Sequence, residues 1–194
     1  MNRSIGWLSV ASLLLGLHSY AASASEPDAT EAIIVVPPSK GLQSWPGEWK
    51  LRGTESNAGF SVVEISATSL PKGPRPAHVH TREDEAWYVI EGELSFKVGD
   101  KAAIAGPGTF VFARRGVPHT YKVTGVPARY LLIVSPAGVE RLFVEVAELR
   151  KKFTSPTGEF MPTAEYEKAF KDLRATFFSK YGTYDAALPE AKTP

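Results

Sequence analysis

Between about residues 58 and 136 a glycine- or proline-containing turn interrupts the chain every six to ten residues, and this spacing limits the fold more than any other feature. It leaves short runs at 60–66, 78–80, 86–90, 93–98, 101–104, 109–113, 119–124 and 129–135, rich in β-branched and aromatic residues. No helical segment is inserted between them, so the crossover that a parallel sheet needs is missing. The expectation is an all-β fold, an antiparallel sandwich or barrel.

After Pro136 the period changes. Leu142, Phe143, Val146 and Leu149 recur at helical spacing, which predicts a helix over about 138–151. Thr163 is placed to cap a second helix with the stripe Tyr166, Phe170, Leu173, Phe177 and Tyr181, closed by Gly182. That stripe is expected to pack on the outside of the barrel rather than to hold a ligand. Upstream, 33–36 is a β-branched run ended by two prolines, expected as an edge strand or arm. WPGEWKLRG, with Trp45 and Trp49, is expected to pack over one end of the barrel.

The chain starts with Arg3, an apolar stretch over 7–17 too short to span a bilayer, and the small-x-small signal Ala22-Ser23-Ala24. We expect a signal peptide over 1–24, cleaved after Ala24, and a periplasmic or secreted protein; an uncleaved anchor is the alternative. The remaining units are an N-terminal arm and linker over 25–57, the barrel over 58–136 and a helical extension over 137–194 packed on it. No membrane association is expected after cleavage. Net charge is +1 and basic residues do not cluster, which argues against nucleic acid as a partner. There are no cysteines, so a thiolate metal site, a disulfide scaffold and a cysteine nucleophile are excluded together.

Of four histidines, His18 lies in the leader. The other three all fall in two short stretches. His78 and His80 alternate on a strand and so share a face. Glu83, Asp84 and Glu85 follow; the first two belong to a turn where solvent can reach them, whereas Glu85 begins the apolar run AWYVI. Alternation places Glu85 with Trp87 and Val89 on the inner face. His119 returns in GVPHTY. Imidazoles plus a carboxylate on a rigid sheet form a donor set for one divalent transition metal, among Fe, Mn, Ni, Co, Cu and Zn.

Gly73, His78, His80, Glu85 and Gly92 resemble the first motif of the cupin superfamily, G-x5-HxH-x3-4-E-x6-G. Gly99, Pro107, Gly108 and His119 resemble its second, G-x5-PxG-x2-H-x3-N. Four residues rather than five separate Gly73 from His78, ten separate Gly108 from His119, and Val123 stands in place of the final Asn. In detail the chain is similar to single-domain bacterial cupins of the quercetin-dioxygenase-like type. The resemblance implies a jelly-roll β-barrel with a C-terminal helical extension, His78, His80, Glu85 and His119 as metal ligands, and Glu85 as general base.

Strand parity gives Phe60, Val62, Trp87, Phe96, Phe110, Phe112, Tyr121, Leu131 and Ile133 as a substrate pocket, apolar and aromatic. The leading expectation is a dioxygenase acting with O2 on a phenolic, flavonol-like or enediol small molecule. One alternative is a metal-dependent isomerase or lyase on a sugar or oxo acid, needing cations such as Arg75, Arg82, Arg114 or Arg115 in the pocket. Another is a non-catalytic module that binds a small molecule or a metal. A homodimer is expected, through barrel edges or the arm over 33–36.

Overall fold

The computed structural model describes residues 33–70 and 76–189. The leader with its cleavage site, Gly73 and Arg75 lie outside the described residues. The strands are β1 (Leu42–Ser44), β2 (Gly47–Leu51), β3 (Ser61–Ala67), β4 (His78–His80), β5 (Asp84–Val98), β6 (Lys101–Ala105), β7 (Phe110–Ala113) and β8 (His119–Ser135). Helices α1 (Glu140–Lys152), α2 (Ala164–Arg174) and α3 (Phe177–Tyr181) follow, and β9 (Thr183–Asp185) comes last.

Every ladder is antiparallel, and the path β1-β2-β3-β8-β4-β9 is joined to the rest through β5. β5 runs beside β8 along almost its whole length, carrying β7 on its first half and β6 on its second. This is the expected jelly roll. The runs 86–90 and 93–98, read as separate strands in the sequence, are one bent strand, and so are 119–124 and 129–135. Gly92 permits the bend: its φ is +78°, and a Cβ there would strike the Pro127 carbonyl and Ala128 of the neighbouring strand.

The bend decides which side chains face inward. Register shifts between Val89 and Leu94 on β5 move both strands by an odd number of residues. On β8 the buried set therefore changes from His119, Tyr121 and Val123 to Ala128, Tyr130, Leu132 and Val134. Trp87, Val89, Leu94, Phe96, Val63 and Tyr130 form the centre of the core.

The arm over 33–36 joins no ladder, and Ile33 and Val35 are exposed. WPGEWKLRG supplies the turn and the second strand of the β1–β2 hairpin; Trp49 is buried, and Trp45 packs edge-to-face with Phe143 of α1, ring centroids 5.6 Å apart. The helix read as continuous from 163 is two helices. The Thr163 hydroxyl caps α2 by accepting from the Tyr166 amide at 3.2 Å. The Thr176 hydroxyl then donates to the Leu173 carbonyl at 2.8 Å, a local bond that competes with the helical ladder where α2 stops. Gly182, left-handed at φ +69°, closes α3 and turns the chain into β9.

Candidate metal centre and its pocket

Three elements bring the donors together. β4 supplies His78 and His80, β5 supplies Glu85, and the start of β8 supplies His119, paired with His78 across the ladder. One ligand atom from each of the four lies within 4.8 Å of the others. Opposite ligands of one ion are separated by up to about 4.4 Å, given metal–donor distances of about 2.0–2.2 Å. Side-chain adjustments of a few tenths of an ångström would bring the widest pair to that separation. His80, Glu85 and His119 are buried, and His78 is partly buried at the cavity wall.

The hydrogen bonds orient the rings. His119 Nδ1 donates to the Val117 carbonyl at 2.8 Å, so its Nε2 faces Glu85 Oε2 at 2.9 Å. His80 Nδ1 lies 3.0 Å from the Thr183 hydroxyl, leaving Nε2 3.5 Å from Glu85 Oε1 and without a hydrogen-bond partner. A buried imidazole nitrogen with no partner costs about 1–3 kcal/mol, and an ion at that point would remove the cost. The donor set fits one divalent transition metal on this ground and on its chemistry, borderline nitrogen plus hard oxygen.

Electrostatics agree with the geometry. Burial alone raises the Glu85 carboxyl, but His80, the hydrogen bond from His119, and His78 outweigh it and hold the group at about 2. Burial lowers His78 to about 4 and lowers His80 as well, both against the pull of Glu85. For His119 burial acts downward, yet the hydrogen bond and charge of Glu85 prevail and its pKa is raised. Two neutral imidazoles, one anionic carboxylate and one imidazole sharing a proton with it make a site ready to exchange that proton for a cation.

Glu83 departs from the sequence reading. It is 4% exposed rather than solvated, because the turn at Gly138 closes over it; a Cβ on Gly138 would stand 3.3 Å from its Oε1. Burial raises its carboxyl to about 7, and Oε2 has no partner, with His80 Nδ1 at 3.9 Å. Asp84 does reach solvent and is gripped by Arg115 through its backbone amide and guanidinium, at 2.8 and 2.7 Å.

A cavity of about 370 Å³ leads away from His78, His80 and Glu85. Its walls come from the helical extension as much as from the barrel: Leu142 and Phe143 of α1, Phe170 of α2 and Phe177 of α3 stand opposite Tyr121 and Leu132. The extension packs on the barrel through Leu142, Val146, Phe177 and Tyr181 and also borders the site, so part of the aromatic stripe is cavity wall.

Of the nine residues expected to form the pocket, Tyr121 lines it. Trp87 and Phe96 are buried beneath, with Trp87 edge-on to His119 at 5.9 Å. The other six are corrected. Phe112, Ala86, Ile133 and Val62 stand side by side across four strands, and Phe112 is 48% exposed, so that row is on the outer face. Phe110, opposite Tyr88, which in turn faces Leu131, belongs to the next outer row. Phe60, just before β3, is 44% exposed. For Leu131 and Ile133 the error is the parity change within β8. For Phe60, Val62, Phe110 and Phe112, apolar character does not mark inward direction: the buried positions of β3 and β7 are Ser61, Val63, Ile65 and Ala113. Arg174, at the cavity wall and ion-paired with Asp185, carries no sequence signal of its own. Arg82, Arg114 and Arg115 are exposed and do not line the cavity.

The family profile of the cupin domain matches residues 67–134, which hold all four donors. The barrel is a cupin domain. No curated protein sequence matches the chain. Solved structures similar to this cupin include the Streptomyces nucleoside dehydratase Pac13, at 21% identity and TM-score 0.36 over 43% of this chain and 65% of that one. KdgF from Halomonas sp. is similar at 16% identity and TM-score 0.38, covering 43% and 76% of the two chains. A Klebsiella pneumoniae protein with a double-stranded beta-helix domain is similar at 22% identity and TM-score 0.41, covering 59% and 93%. The chain spans just under two thirds of the length of the dehydratase.

Proposed function

We propose that this cupin is a metal-dependent dioxygenase, exported through its N-terminal leader, that acts with O2 on a phenolic, flavonol-like or enediol small molecule. The observation that carries the reading is the position of His78, His80 and Glu85 at the wall of a cavity otherwise bounded largely by apolar and aromatic side chains. Its volume of about 370 Å³ falls at the small end of ligand pockets, about 300–1,000 Å³, and suits a planar substrate of few rings.

A metal held by His78, His80, Glu85 and His119 would supply a Lewis acid for the substrate oxygen and a place for O2 beside it. The chain's own groups do the rest. Phe170, Phe177 and Leu132 hold the ring system and exclude water. Two carboxylates line the cavity, Glu85 and Asp185, and Arg174 neutralises the latter. Glu85 is therefore the group in reach to take the proton of the substrate hydroxyl, and its low proton affinity restricts that role to an acidified hydroxyl. O2 is the oxidant, and both its atoms enter the substrate.

An isomerase or lyase acting on an anionic sugar or oxo acid is less well supported, because the cation at the cavity wall, Arg174, is already paired. The test is oxygen uptake by the protein reconstituted with Fe, Mn, Ni, Co, Cu or Zn in turn, with flavonols and catechols as substrates. Uptake that disappears in His80→Ala and Glu85→Ala is expected. Tight ligand binding without turnover under every metal would replace the dioxygenase with a binding module.

A further inference from the structure

Strand β4 is three residues long and carries two of the four donors, yet its ladder with β8 has one register pair, His78 with His119. Its other edge is covered by β9 over its full length: His78 pairs with Asp185, Val79 with Tyr184 and His80 with Thr183. The Gly182 carbonyl accepts from both the amide and the hydroxyl of Thr81, at 3.0 and 2.9 Å, and the Ala186 amide donates to the Ala77 carbonyl at 3.1 Å. The segment after α3 is thus fastened to the ligand strand at both ends.

Within that ladder one side-chain contact reaches the donors. Thr183 is 6% exposed, and its hydroxyl oxygen lies 3.0 Å from His80 Nδ1, across 103 residues of sequence. We propose that Thr183 is a positioning residue of the metal centre, its hydroxyl accepting the Nδ1–H of His80 and so holding the ring with a bare Nε2 aimed at the site. The proposal rests on the metal reading above.

The chemistry requires such a partner. A neutral imidazole carries one proton, and the nitrogen that ligates must be the other one. Fixing the proton on Nδ1 selects the tautomer and the ring angle together, and outer partners of this kind typically contribute about 10–100-fold to metal affinity. Among the described contacts of His80 Nδ1, the next acceptor is Glu83 Oε2 at 3.9 Å, beyond hydrogen-bond reach. Without the hydroxyl the ring must turn towards Glu83 to satisfy its N–H, and Nε2 turns with it.

The experiment uses the full protein with Thr183→Val, which keeps shape and removes the acceptor, and Thr183→Ser, which keeps the acceptor. Zn(II) and Mn(II) affinities are measured by chelator competition, and the His80 tautomer by 15N imidazole NMR of metal-free protein. The expected result is about 10–100-fold weaker binding in Thr183→Val, recovery in Thr183→Ser, and loss of the Nδ1–H signature in the valine variant alone. Wild-type affinity in Thr183→Val overturns the proposal, as does a serine variant no better than the valine one. A wild-type protein that takes up neither metal overturns the metal reading and the proposal with it, whereas a defect confined to Thr183→Val cannot arise from that failure.

Discussion

Glu85 Oε2 and His119 Nε2 stand 2.9 Å apart, both residues buried, each the other's hydrogen-bond partner. The proton between them occupies a position that a metal ion would take. Binding must therefore release it, and because Glu85 holds the His119 pKa above its ordinary value, affinity should rise with pH through neutrality by up to about tenfold per unit for one proton released. Chelator competition at several pH values, with calorimetry in buffers of different ionisation enthalpy, checks this. An affinity indifferent to pH would mean that the pair does not compete with the ion.

Glu83 gives a pH effect of known sign in the metal-free protein. Its carboxyl titrates at about 7 in the fold against an ordinary value of 4.5. The stability linked to it is full below about 4.5 and is lost as pH rises through 7, where the buried group must ionise. Glu83→Gln should therefore gain about 2–3 kcal/mol relative to wild type on going from pH 4.5 to pH 8. Urea unfolding of both proteins at the two pH values is the measurement; a constant difference would show Glu83 to be solvated.

The two faces of β5 and β7 separate by mutation. Trp87 is fully buried against Phe96, Tyr121 and His119, and Trp87→Ala should destabilise by about 3–5 kcal/mol. Phe110, 58% exposed, should cost no more than about 1 kcal/mol when changed to Ala. Equal losses in denaturant unfolding would place Phe110 inside after all.

Gly182 is required twice, by its φ of +69° and by the nearness of Thr81, whose hydroxyl a Cβ would strike. Gly182→Ala should cost at least about 1–2 kcal/mol. The loss should concentrate in β9, seen as earlier proteolytic cleavage after α3 while the barrel persists. An unchanged melting temperature and cleavage pattern would show the turn to be tolerant.

Much of this architecture was legible in the sequence because its signals are local. Turn residues mark the strands, Thr163 and Gly182 mark helix ends, and the HxH alternation with Glu85 marks a shared face, with one ligand atom of each donor within 4.8 Å of the others. What escaped was set by distant contacts. The direction of Leu131 and Ile133 depends on register shifts between β5 and β8 that no alternation rule anticipates. The burial of Glu83 depends on Gly138, and the cavity wall at Phe170 and Phe177 depends on where α2 and α3 settle. An aromatic stripe looks the same from sequence whether it fills a core or borders a void.

The docking of β9 against β4 couples the two ends of a thermodynamic cycle. Any species that binds β4's imidazoles more tightly when β9 is in place must, by linkage, tighten β9 by the same factor, at saturation about 1.4–2.7 kcal/mol for an affinity ratio of about 10–100-fold. The amide protons of Thr81 and Ala186, bonded across that junction, then become gauges of occupancy whose exchange slows as the centre fills. A stretch of chain remote in sequence from every donor would register whether the barrel is loaded.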